Sequence, residues 1–148
     1  MLKKLVNSIL LLSAMAFSLV GGSVAADAID NITPVTDEML LNPSENDWLM
    51  WRRTYDGWGY SPLDQINKDN VGQLKLAWAW GMSPGGRTQE TPLVHDGIMF
   101  VQNSSHLIQA LDASNGELIW EYEHDLPDDA RTQGVRNKAI YGDNLIIA

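Results

Sequence analysis

The chain has 148 residues, no cysteine, and 19 acidic against 10 basic residues, a formal charge of -9. A surface of that balance repels phosphate backbones and anionic lipid, so nucleic-acid and membrane-surface binding are set aside. Without thiols there is no disulfide framework, and stability must come from burial.

Lys3 and Lys4 precede an apolar stretch from Leu5 to Val20, followed by small residues from Gly21 to Ala25 and a first acid at Asp27. This is the layout of a secretory signal peptide over residues 1–25, cleaved after Ala25, and it implies a periplasmic location. The competing reading is a membrane anchor. The run is interrupted by Ser13 and Ser18 and falls short of the roughly 20 apolar residues that span a bilayer. Removing residues 1–25 takes away two lysines and no acid, so the formal charge moves from -9 to -11.

Residues 26–46 are rich in Asp, Asn, Thr and Pro, and predict a flexible leader with a helical turn near Asp37 to Leu41. Trp48, Trp51, Tyr55, Trp58 and Tyr60 then crowd between Gly57, Gly59 and Pro62, which favours irregular chain whose rings cover sheet surface. Arg52 and Arg53 are too few for a base-stacking nucleic-acid surface. A helical turn capped at Asn67 comes next. In the run from 74 to 80, Leu74, Leu76, Trp78 and Trp80 alternate with Lys75, Ala77 and Ala79, the period of a half-buried strand.

Further strands are expected at Thr91 to Val94, Ile98 to Gln102 and Leu107 to Leu111, divided by a His95-Asp96-Gly97 turn and an Asn103 to Ser105 break. Asn115-Gly116 predicts a two-residue hairpin turn pairing Leu107 to Leu111 with Leu118 to Tyr122. Lys138 to Tyr141 starts another hairpin, and IYGDNLIIA echoes LVHDGIMFV at a spacing near 46 residues, set by Asp96-Gly97 against Gly142-Asp143. Short strands, tight turns and no long helix predict an all-β fold, and blades of about 40 to 50 residues belong to β-propellers. The mature length supplies only a few blades and the chain stops within an apolar strand, so it is expected to be the first part of a longer protein.

The stretch ALDASNGELIW (110–120) resembles the tryptophan-docking repeat of the quinoprotein dehydrogenases, β-propeller enzymes that carry pyrroloquinoline quinone (PQQ). Three more segments, YSPLDQINKDNVGQLKLAWAW (60–80), QETPLVHDGIMFV (89–101) and LPDDARTQGVRNKAIYGD (126–143), accompany it in the order of the methanol and ethanol dehydrogenase branch. The resemblance covers about residues 47–148 and implies that these form the first blades of an eight-bladed propeller. In such a repeat the Trp120 indole lies against the next blade; otherwise this is an ordinary hairpin with one core Trp.

Membership implies a PQQ-dependent dehydrogenase that oxidises small alcohols and passes electrons to a cytochrome c or another respiratory acceptor, with room for a homo-oligomer. It puts Glu90 at the glutamate that contacts the quinone, where the carboxylate needs a ring N–H, a proton or a raised pKa beside a tri-anion. It puts Arg136 at an arginine suited to a two-pronged grip on a cofactor carboxylate, with Arg131 a weaker candidate. The plainer readings are a Glu90 that caps a surface turn and an Arg136 paired with Asp128 or Asp129.

Many members carry two adjacent cysteines before this arginine, forming a disulfide ring against the cofactor. Here the stretch is Ala130 to Val135, without Cys, so the cover over the quinone must differ. The family's Ca²⁺ or lanthanide ligands and its catalytic aspartate fall past residue 148, so no metal ligand or catalytic residue is named. His95, His106 and His124 lack ligand spacing and are expected at the surface or in turns. The alternative function is a non-catalytic propeller acting as a periplasmic binding or assembly scaffold.

Overall fold

A computed structural model describes residues 32–82, 89–103, 107–123 and 137–147. The expected signal peptide lies outside the described residues. Strands β1 (Leu93–His95), β2 (Ile98–Gln102), β3 (Leu107–Asp112) and β4 (Leu118–Glu123) form an antiparallel meander in sequence order. Strands β5 (Lys138–Tyr141) and β6 (Asn144–Ile147) form a second antiparallel pair. Both hairpins of the expected repeat are therefore present, with the anticipated alternation of apolar strand and polar turn.

The turns show which residues set the register. His95 pairs with Ile98, so Asp96 and Gly97 alone make the β1–β2 connection, with φ of 50° and 75°. Positive φ at both central positions matches the twist of the flanking strands, and Asp-Gly tolerates it. Tyr141 pairs with Asn144 across Gly142 and Asp143, where only Gly142 has positive φ, at 55°.

The β3–β4 connection differs from the two-residue turn expected at Asn115-Gly116. Leu111 pairs with Leu118, a register shift falls between Ala110 and Leu111, and only Gly116 is left-handed, at φ 78°. The reason is Asp112, whose carboxylate accepts hydrogen bonds from the Ser114 N–H at 2.8 Å and the Ser114 hydroxyl at 2.6 Å. A side-chain acceptor closing the turn two residues on makes a longer loop, which Gly116 finishes by donating its N–H to the Asp112 carbonyl at 2.8 Å. These bonds hold the Asp112 carboxyl below its usual range. Asp112→Ala is expected to cost about 1 kcal/mol of stability, read as a lowered urea midpoint; an unchanged midpoint would mean the loop closes without that carboxylate.

The chain before β1 joins the two sheets. Trp48 and Val94 exchange backbone hydrogen bonds of 2.8 and 3.0 Å, while the Ile140 N–H donates to the Leu49 carbonyl at 3.0 Å. The segment around Leu49 thus bridges β1 and β5. Residues 32–46, expected to be a flexible leader, are packed instead. Helix α1 (Asp37–Leu41) is capped by the Thr36 hydroxyl, which accepts from the Met39 N–H at 3.3 Å, and Val35 exchanges backbone bonds with Gly142. Val35 and Leu40 join Leu49, Leu93, Ile98, Phe100, Ala110 and Ile140 in the core, so apolar burial holds the leader down.

Trp120 packs against this core with its ring centroid 6.0 Å from that of Phe100. It borders a cavity of about 290 Å³ that Ile140, Gly142 and Leu145 also line, and so faces the second sheet as a docking Trp should.

The alternating run at 74–80 pairs with no strand among the described residues. Its period is nonetheless used. Trp78 Nε1 donates to the Ala113 carbonyl at 3.1 Å and Trp80 Nε1 donates to Gln109 Oε1 at 3.0 Å, while Leu74 and Leu76 stay exposed. Same-side indoles dock on the first sheet, and among the described residues no neighbouring strand supplies a ladder. The turn expected at Asn67 is present: the Asn67 side chain accepts from the Asp69 N–H at 3.0 Å and its carbonyl from the Val71 N–H at 2.9 Å, and the turn leads into a short 3-10 helix, Val71–Gln73, with Asn70 at its N-terminus.

Candidate functional site

Glu90 stands three residues before β1, and both of its carboxylate oxygens are engaged. Oε1 accepts the Gln102 backbone N–H at 2.7 Å, at the far end of β2. Oε2 meets the Lys138 ammonium, at the start of β5. The Glu90 and Lys138 side chains are 5% and 0% exposed, so this ion pair is buried. Glu90 is therefore no surface cap: it ties the end of the first sheet to the beginning of the second.

Lys138 was not singled out from the sequence. Its signal was its phase, since Lys138 and Ile140 are the buried residues of β5 while Ala139 between them is only half-buried. A charge in step with the core side of a strand demands a partner. That partner lies 48 positions away in the chain, beyond the reach of any local pattern.

Burial pulls the Lys138 amine down to about 8, because the ammonium loses its hydration. The folded chain releases this proton near pH 8 and the unfolded chain near 10.5. Between these values the unfolded state binds more protons, so this group's contribution to stability rises with pH. The expected result is that wild type gains stability from pH 8 to 10 relative to the non-titrating double variant Glu90→Gln/Lys138→Met. Denaturant midpoints taken across that window check it, and a flat or falling difference would refute it.

Gln102 follows Ile98 and Phe100 on the buried face of β2, and its Oε1 is buried with no hydrogen-bond partner among the described residues. Apart from Glu90, Lys138 Nζ also finds none among them. The end of the seam is thus polar, with donor and acceptor capacity unused. A buried polar group left unpartnered costs about 1–3 kcal/mol, so such a cluster asks for a ligand or another polar neighbour.

Arg136 and Arg131 lie outside the described residues, as do His106, His124 and the cysteine-free stretch 130–135. His95 is described, and the expectation of an exposed turn histidine is corrected: it is fully buried. Its Nε2 donates to the Thr33 carbonyl at 2.7 Å, and its Nδ1 lies 3.3 Å from Asp47 Oδ1. The packed leader covers it, which the turn signal could not foretell. Among the described residues no group of three or more His, Cys, Asp or Glu is placed to hold a metal ion, and no helix among them is long and apolar enough to cross a membrane.

Residues 48–142 match the family model for the β-propeller domain of glucose, ethanol and alcohol dehydrogenases of the PQQ type. The chain belongs to this PQQ propeller family. It is 34% identical over 119 residues to the dehydrogenase subunit of a quinone alcohol dehydrogenase of Gluconacetobacter polyoxogenes, covering 79% of this chain and 16% of that one. It is 36% identical over 141 residues to a quinoprotein ethanol dehydrogenase of Pseudomonas aeruginosa, covering 90% of this chain and 22% of the relative. Among solved structures, the quinohemoprotein alcohol dehydrogenase of Comamonas testosteroni superposes with a TM-score of 0.69 at 31% identity, over 83% of this chain and 19% of that one. The PQQ propeller sequence in hand therefore spans less than a quarter of the length of these relatives.

Proposed function

We propose that the protein is an exported, PQQ-dependent dehydrogenase that oxidises alcohols and passes the electrons to a cytochrome or quinone acceptor. The observation that carries this reading is the buried Glu90–Lys138 pair at the seam of the first two sheets, with Glu90 at the position that resembles the family's quinone contact. The Lys3-Lys4 and apolar start of the chain supports export to the periplasm.

The cluster suits a flat ortho-quinone with three carboxylates. Lys138 offers N–H donors to an anionic oxygen, and Gln102 Oε1 is a buried acceptor able to take a ring N–H. Glu90 no longer needs a proton to sit near an anion, because Lys138 balances its charge. Residues Glu90 and Arg136 are assigned to hold the cofactor, and Gln102 to fix Glu90 through its backbone N–H. When bound, the quinone supplies the two-electron acceptor for alcohol oxidation, with Ca²⁺ or a lanthanide as Lewis acid. The chain's own part is to exclude water at the seam and hold these polar groups in register.

The test is to titrate the full-length protein, purified without cofactor, with PQQ and Ca²⁺ while following dye-linked ethanol oxidation. Saturable activity that is lost in Arg136→Ala supports the reading. A folded protein that takes up no PQQ with either Ca²⁺ or a lanthanide would favour the scaffold.

A further inference from the structure

We propose that Lys138 is itself a cofactor contact, its ammonium donating to an anionic oxygen of the quinone alongside Glu90. This rests on the PQQ reading and deepens it, because nothing in the sequence resemblance assigns a role to Lys138.

The argument starts from donor capacity. An ammonium carries three N–H donors, and this one meets a single acceptor among the described residues. With its side chain 0% exposed, bulk water does not serve the others. An ion pair that merely closed the seam would be expected to have its remaining donors met by nearby carbonyls, since buried polar groups are nearly always paired. Here a second buried polar atom, Gln102 Oε1, is also left over among the described residues.

Position adds a second reason. The seam is apolar where Ile98, Phe100 and Ile140 line it, and it turns polar at Glu90, Gln102 and Lys138. Replacing an ion pair at such a place by well-packed apolar residues is often neutral or favourable, so packing alone gives little reason for a charge. A tri-anionic ligand gives one. A carboxylate alone would repel it, whereas Lys138 both neutralises Glu90 and retains donors for the incoming oxygen.

The test measures PQQ binding to the apo full-length protein by quenching of tryptophan fluorescence, without turnover. Lys138→Met alone leaves a buried carboxylate unpaired and Glu90→Gln alone a buried ammonium, so folding of each variant is checked first by circular dichroism, and the decisive comparison is folded Glu90→Gln against Glu90→Gln/Lys138→Met. In the Glu90→Gln background Lys138 has no charge to neutralise. If it touches the cofactor, removing it there weakens PQQ binding by about 10- to 100-fold, and Glu90→Gln/Lys138→Arg retains most of the affinity. Equal dissociation constants for Glu90→Gln and Glu90→Gln/Lys138→Met overturn the Lys138 contact while leaving the cofactor reading intact. A wild type that binds no PQQ overturns both.

Discussion

Glu90→Gln is expected to lower the unfolding free energy by about 3–5 kcal/mol, and the double variant Glu90→Gln/Lys138→Met to recover most of that loss. The single change removes the carboxylate charge and leaves Lys138 facing an amide in a place where its side chain is 0% exposed. The ammonium must then either stay charged without compensation or deprotonate, and both cost stability relative to the pair. It also weakens the bond from the Gln102 N–H, which now meets a neutral acceptor. Methionine fills much of the volume of lysine without a charge, so the double variant restores electrical balance at the seam. Urea unfolding of the four proteins in this cycle gives the coupling energy directly. A single-variant loss below about 1 kcal/mol, or a double variant as unstable as the sum of the singles, would show that the two side chains do not depend on one another.

Gly116→Ala is expected to cost about 2–4 kcal/mol, far more than an ordinary loop substitution. Two separate penalties act at this one residue. Its φ of 78° is left-handed, a conformation that strains any L side chain. A Cβ there would also lie 2.6 Å from Trp78 Cε3 and 2.7 Å from Cδ2, inside contact distance of the indole face. The ring is not free to slide away without loss, because Trp78 Nε1 donates to the Ala113 carbonyl at 3.1 Å in the same loop. Thermal or urea unfolding of Gly116→Ala in wild-type and Trp78→Leu backgrounds separates the penalties. In the Trp78→Leu background the contact disappears and only the backbone strain, about 1–2 kcal/mol, should remain. Equal losses in both backgrounds would mean that the indole does not cover the glycine.

Much of the fold could be read along the chain because its causes are local. Ile98 to Gln102 and Lys138 to Tyr141 are legible to the residue, since a short apolar run marks each strand, Gly97 marks the start of the first and Gly142 the end of the second. The docking repeat was legible for the same reason. The longer loop at Asn115-Gly116 is not legible, because Asp112 takes the Ser114 backbone N–H and the Asn115 side-chain amide, and a dipeptide pattern takes no account of a carboxylate three residues earlier. At 74–80 the alternation was correct in phase but unable to say whether a neighbouring strand would be present.

The candidate site was only half legible. Glu90 stands out through its neighbours in QETPLV, but its partner does not, and the burial of His95, expected at the surface or in a turn, is hidden because the chain that covers it at Thr33 comes 62 residues earlier. Side-chain period, turn chemistry and ordered motifs are properties of adjacent residues, which is why the hairpins of β1–β2 and β5–β6, the pairing of β3 with β4 and the family resemblance are legible along the chain. That Lys138 neutralises Glu90, that residues 32–46 close over His95 and that Trp78 shields Gly116 are visible only once the chain is folded. The energy of a charge, a ring or a glycine depends on what lies against it once water has been excluded, and those neighbours are brought together by the fold from distant parts of the chain.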